Sequence, residues 1–351
     1  MTTLTETAKV TKVGFKYVVV FLAVLMVGQM LLSWLIRLYK TLNPPAPLPA
    51  TMGFGVLPAI EFPKKEVGQL SYKLETVDGT VASFGPTAKV FLVEEKKPTL
   101  LGLDRGKQRA AAMGFVFEPQ QISGSLYRWS KSQPLLATLE LDYAKENFEM
   151  SVSWQNDPGF LNVKLIPTEA QTVMEAKDFL KRSGSLPEDM AAGVVRVTNL
   201  KYTGGRLTAA VSLSEADMVR VDLYRESVDG VLPVLPADPD QGVARVIVSG
   251  SRDQGERFVY AWYKHTQVDY ENYQTYPLIG GQEAWEKLTR GEGFVARTPK
   301  TGSEAVVREV SLGYFDSLDG QKYLQPIYVF SGDEGLVAYV PAVAAATTGQ
   351  Q

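Results

Sequence analysis

The sequence predicts an α+β protein: a single N-terminal transmembrane helix followed by extracytoplasmic units, each a helix plus an antiparallel meander. Three observations predict it. Residues 18–36, VVVFLAVLMVGQMLLSWLI, run for 19 residues without a charge. After them, three amphipathic helical stretches each precede short alternating segments bounded by Gly, Asp and Asn. The composition, 45% hydrophobic and 21% charged over 351 residues, is that of a folding chain.

The apolar run is taken first. At 1.5 Å per residue it reaches roughly 28 Å, the hydrocarbon thickness of a bilayer, with Tyr17, Trp34 and Tyr39 where interfacial aromatics sit. Lys9, Lys12 and Lys16 precede it against Glu6, and Arg37 and Lys40 follow, a bias that favours a cytoplasmic N-terminus. The stretch exceeds the h-region of a signal peptide and exits through bulky residues, so an uncleaved anchor is expected. Within it Gln29 carries an amide at near-central depth beside Gly28; a second transmembrane helix would satisfy that amide, as would the helix's own backbone.

The expected organisation is a short cytoplasmic segment at 1–17, the transmembrane helix at 18–38 and a Pro-rich stalk at 39–65, where Pro44, Pro45, Pro47 and Pro49 favour polyproline II. A first α+β domain follows at 66–165. It opens with a hairpin of strands 70–77 and 81–84 around Asp78-Gly79. Next come a helix at 104–113 with Gly114 as its C-cap and a meander at 126–131, 136–142 and 148–154. A second region spans 166–343, with a possible split near 240. Its first unit is a helix at 168–182 followed by strands 194–202, 206–213, 218–226, 243–248 and 257–264. Its second is a helix at 282–290, stopped by Gly291, followed by strands 305–315, 323–330 and 336–340. Residues 344–351 are expected to fray. A meander covered on one face by a helix leaves sheet edges where a partner strand could add.

The chemistry the chain can carry is narrow. With Cys 0 and His 1, thiol chemistry, zinc fingers and paired-His metal sites are excluded within one chain. Residues 1–50 hold five basic side chains and one acidic, leaving the remainder acidic, so nucleic acid is not an expected partner. The single imidazole, His265, has Thr266 and Asp269 nearby, but strand spacing builds no relay, and it is expected at the surface or a sheet edge. Glu283 and Glu286 share one helix face and cannot bracket a glycosidic bond. Asp238 and Asp240 precede Gly242, yet Ser249 stands where a calcium loop needs glutamate, so a turn is expected. Gly291 and Gly293 follow a helix instead of opening one, which excludes a phosphate loop. Arg105, Lys107 and Arg109 make a short basic helix face. No catalytic residue, cofactor or metal is expected.

The densest feature is FVYAWYKHTQVDYENYQTY. Phe258, Tyr260 and Trp262 read as packing, and Tyr263, Tyr270, Tyr273 and Tyr276 as a candidate interaction surface, because tyrosine gives wide contact area at small entropic cost.

The stretch 276–343 contains YPLIGGQEAWEKLTRGEGFVA, VREVSLGYFD and YLQPIYVFSGDEGLVAYVPAV. It resembles the C-terminal part of the YycI/YycH-type bacterial membrane proteins that regulate a sensor histidine kinase, and more loosely PepSY modules. The likeness rests on Ala284, Trp285 and Leu288 in a helix, a strand ending Gly313-Tyr314-Phe315, and a strand holding Pro326 before aromatics. It covers about a fifth of the chain, and the first domain with RAAAMGFVF at 109–117 and the aromatic stretch at 258–276 do not align to it. The resemblance implies a non-catalytic, single-pass regulator of a two-component system.

The reading is therefore a cell-membrane protein with its C-terminal region outside. It would act as a protein-interaction module for a sensor kinase or envelope complex, with the bilayer and a membrane or envelope protein as partners and a homodimer possible. Alternatives are a glycan-binding or hydrolytic cell-wall protein and a structural subunit of an envelope assembly.

Overall fold

In the computed structural model of the chain, the residues described are 25, 26, 28–30, 32, 48–157, 159–162, 165–344 and the backbone of 348 and 349. Two compact units divide at Leu48 and Pro49. In the first, residues 25, 26, 28–30 and 32 are helical and their side chains are exposed. The rest of the expected span lies outside the described residues. Among those described, no helix is long and apolar enough to cross a membrane.

In the second unit strands dominate. In chain order they are β1 (Leu57–Pro58), β2 (Ser71–Leu74), β3 (Thr87–Val93), β4 (Gln120–Ser123), β5 (Leu126–Lys131), β6 (Ala137–Asp142), β7 (Asn147–Val152), β8 (Val195–Thr203), β9 (Arg206–Ala209), β10 (Met218–Leu223), β11 (Val234–Pro236), β12 (Ala244–Ser249), β13 (Phe258–Tyr263), β14 (Val268–Pro277), β15 (Phe294–Arg297), β16 (Glu304–Asp316), β17 (Tyr323–Gly332), β18 (Val337–Pro341) and β19 (Thr348–Gly349). The helices are α1 (Gly102–Ala112), α2 (Glu169–Arg182), α3 (Glu188–Ala191), α4 (Gln254–Arg257) and α5 (Gly281–Thr289).

The expected fold class is corrected here. Instead of successive α+β units, the strands make two large sheets. One has nine strands in the order β4-β5-β6-β7-β13-β12-β10-β8-β9. The other has eight, along β11-β16-β17-β18-β15, with β2, β3 and β14 joined to it. The expected boundary at 165 runs through the first sheet, since β7 pairs with β13, Met150 opposite Ala261. The expected hairpin at 70–84 does not form either, because β2 pairs parallel with β16, Tyr72 opposite Ala305.

Each helix nevertheless does what its pattern requires. α2 starts at a capping box in which Thr168 and Gln171 bond reciprocally. It buries Thr172, Ala176, Phe179 and Leu180, a stripe at helical spacing. α1 lies over the same sheet, with Gly106 close enough that a Cβ there would stand 3.3 Å from Leu141. Beneath the helices, alternate residues of β6 and β7 (Ala137, Leu139, Leu141; Phe148, Met150, Val152) form one core.

The second sheet is buried on both sides, so β17 is buried without a break from Tyr323 to Phe330. Tyr328 and Phe330 face Ala284 and Leu288 of α5, while Ile327 and Val329 face the opposite way onto Phe294, Phe315 and Tyr339. That second face is covered by Ile60 and Phe62. The Phe62 ring stacks on Phe294 at 5.0 Å, and Lys65 Nζ donates to the Ala296 carbonyl at 2.6 Å. Residues 49–65 are thus part of the packed unit and not a stalk; positions 39–47 of that expectation lie outside the described residues. In the tail expected to fray, Thr348 and Gly349 pair with Leu57 and Pro58; positions 345–347, 350 and 351 lie outside the described residues.

Candidate functional site

The polar centre of the molecule lies where chain segments leaving both sheets converge. Arg225, two residues beyond β10, is 2% exposed. Its Nε donates to Asp316 Oδ2 and its Nη1 to Asp189 Oδ2, each at 2.6 Å; Nη2 donates to the Thr266 carbonyl at 2.6 Å. Asp316 ends β16 in the eight-stranded sheet, Asp189 lies in α3, and Thr266 follows β13 in the nine-stranded sheet. One guanidinium therefore ties three parts of the fold together, using the planar fork that only arginine supplies.

His265 belongs to the same cluster. It is 3% exposed, with Nε2 at 3.0 Å from both carboxylate oxygens of Asp189 and 2.7 Å from Arg225 Nη1. Its ring stacks on Tyr263 at 5.9 Å. The expectation of a surface or sheet-edge histidine is overturned: the chain after β13 turns inward at Thr266. Burial lowers the His265 pKa below the ordinary value, against the pull of Asp189, and Arg225 lowers it further. The neutral ring fits in either tautomer. With its proton on Nε2 it donates to Asp189, and with its proton on Nδ1 it accepts from Arg225. A protonated ring would set a second cation against the guanidinium. Burial would raise the Asp189 pKa, but the hydrogen bond from His265 and the Arg225 charge hold it below the usual range. Burial would likewise lower Arg225, and Asp316 and Asp189 together push it up.

A cavity of 530 Å³ adjoins this cluster. Thr266 and Asn147 line it, the latter accepting from the His265 backbone N–H at 3.3 Å. Gln321 also lines it, its Oε1 accepting from Ser317 N while Nε2 is buried without a partner. Glu94, Glu95 and Asp319 alternate there with Lys96, Lys145 and Lys322. The arrangement can hold a polar group, and the imidazole behind Thr266 is already engaged by Asp189 and Arg225. Among the described residues, no group of three His, Asp or Glu side chains could hold a metal ion.

The expected interaction tyrosines are mostly interior, because Tyr263 lies in the central strand β13 and the others in β14, which pairs with β3. Tyr263 is 4% exposed and Tyr276 is 0% exposed, its hydroxyl donating to the Gly55 carbonyl at 2.8 Å. Tyr270 is half-buried against Phe91, with its hydroxyl buried. Tyr273 alone of the four is exposed, beneath Lys89. The basic face at 105–109 is also corrected. Arg109 turns inward, donating to the carbonyls of Ser183 and Glu146 and to Ser185 Oγ, so it fastens α1 to the end of α2. Lys107 pairs with Glu118.

Asp240 lies in the expected turn and is taken up by Arg196 at 2.8 Å and Arg297 at 2.9 Å. Glu283 pairs with Lys287 on the solvated side of α5, and Gly291 ends that helix at φ +79°. Gly28 and Gln29 are exposed helical residues.

One edge of each sheet is guarded. β4 is short and bulged at Ile122, while β15 is accompanied by Lys65. Sequence reasoning missed the apolar corner beside β4. Val116 is 73% exposed, Phe117 66% and Leu136 51%. Phe115 packs under Lys131 Nζ, and Lys131 pairs with Ala137, so these three residues border one corner of the nine-stranded sheet. The signal was present in the triplet Phe115-Val116-Phe117, of which a chain at a helix exit can bury only part.

No family model and no curated protein matches the chain. Among solved structures it is similar to an uncharacterized protein from Eubacterium rectale ATCC 33656, at 10% identity and a TM-score of 0.35 over 74% of this chain and 84% of that one. A likeness at that level bears on neither family nor function.

Proposed function

We propose that the protein is a non-catalytic interaction module, anchored in the membrane through residues 18–38, whose packed unit binds a protein of the membrane or envelope. The observation that carries this reading is the corner of Val116, Phe117 and Leu136, three large apolar side chains open to solvent on loops that flank the nine-stranded sheet. An exposed phenylalanine on such a scaffold is what a partner's pocket covers. The clamp at Arg225 supports the non-catalytic part, since the chain's only imidazole is engaged by Asp189 and Arg225. The resemblance of 276–343 to YycI/YycH-type regulators makes a sensor kinase the partner class to test first, with Gly28 and Gln29 as the contacts to its transmembrane helix.

The test is co-purification from gently solubilised membranes. Phe117→Ser is expected to lose a partner that the wild-type chain retains, with the melting temperature unchanged. An identical partner set for both chains would refute the reading.

A further inference from the structure

We propose that the groove between α2 and the 249–258 corner is a docking site for an acidic, partly apolar segment of a protein partner. The proposal deepens the interaction reading above and rests on it. The groove has a volume of 790 Å³, room for several side chains. Its apolar lining is Leu165, which is half exposed, beside Pro167 and Phe258, which are buried.

Its rim is cationic in an uncompensated way. Glu175 lines the groove, but Arg257 takes both its oxygens, Nε at 2.8 Å and Nη2 at 2.9 Å, and Arg257 Nη1 is held by the carbonyls of Ser249 and Ser251. That pair is neutral and fixed. Lys181, Arg182 and Arg252 are exposed on the same rim, and none has a carboxylate partner among the described residues; Asp178 is the one remaining carboxylate of the lining. Arg128, Arg196 and Arg308, by contrast, pair with Glu140, Asp240 and Asp333. Arg182 Nε donates to the Asp178 carbonyl at 3.4 Å, and three cations without carboxylate partners beside the half-exposed Leu165 are complementary to a chain carrying carboxylates between apolar side chains. An anionic bilayer would use the same cations, and the vesicle arm of the test separates the two.

The test measures fluorescence anisotropy of a fluorescein-labelled twelve-residue peptide alternating Glu and Leu, titrated with the full chain. Saturable, salt-sensitive binding is expected, weakened about tenfold or more by Arg182→Glu with Arg252→Glu and unchanged by Arg105→Glu, which lies on another helix. Absence of saturable binding, or equal loss in Arg105→Glu, would overturn the proposal. So would a double variant that loses adsorption to phosphatidylglycerol vesicles while keeping the peptide. Failure here alongside an intact Phe117-dependent association sinks only the groove, whereas loss of that association sinks the reading beneath it.

Discussion

Arg225 and Asp316, each 2% exposed, meet at 2.6 Å between chain segments leaving two different sheets. Asp316 terminates β16, and Arg225 follows β10. The pair therefore fixes how the sheets sit within the packed unit, and its removal leaves a buried carboxylate without a counter-charge. Arg225→Met is expected to cost about 3–5 kcal/mol, read from the urea midpoint. Adding Asp316→Leu should recover part of the loss, because the stranded charge goes with it. A single variant as stable as the wild type would show that the clamp is not needed.

The same cluster sets a pH dependence. The folded pKa of His265 is lowered, so the unfolded chain takes up the proton more readily. The associated stability is complete above the unfolded value of about 6.5 and is lost as pH falls below it. Asp189, also lowered, adds a second loss as pH falls below about 4. Both act in the same direction, so the melting temperature should drop from pH 7.5 to pH 5. His265→Gln should flatten that drop. A wild-type curve that rises on acidification would contradict the assignment of a buried neutral ring.

Gly193 lies against the clamp's backbone. A Cβ there would stand 1.9 Å from the Tyr224 carbonyl oxygen and 2.8 Å from the Arg225 carbonyl carbon, distances that backbone must move to relieve. Gly193→Ala is expected to destabilise by about 1–3 kcal/mol, measured by thermal unfolding. A neutral effect would mean that the two chains are not packed this closely.

The tyrosines of β14 separate packing from display. Tyr276→Phe removes a bond to the Gly55 carbonyl from a fully buried site and should cost about 1 kcal/mol. Tyr273→Phe, at an exposed ring, should be silent. Equal effects in a denaturant titration would argue against the interior placement of Tyr276.

What was legible in the sequence was local. α2 and α5 were readable from their apolar spacing, Thr168 and Gly291, and the meander β5–β7 from alternation between turns. β3 and β14 were missed because their ladder joins Val90 to Gln274, and because VDYENYQTYP is too polar to look like a strand. Asp78-Gly79 suggested a hairpin that the parallel partner Glu304–Asp316 displaced. Residues 57–65 read as stalk by their prolines, yet Phe62 and Leu57 are core residues. The clamp was out of reach, since Asp189, Arg225, His265 and Asp316 share no spacing; the one hint was a charged residue just past the apolar strand MVRVDL.

The most direct test of the central claim places p-benzoylphenylalanine at Phe117 in the full chain and irradiates intact membranes. The account predicts a covalent adduct with one membrane or envelope protein, absent when the same probe replaces Lys300 on a distant loop. Irradiation that yields no adduct at Phe117, or the same adducts at both positions, would contradict it.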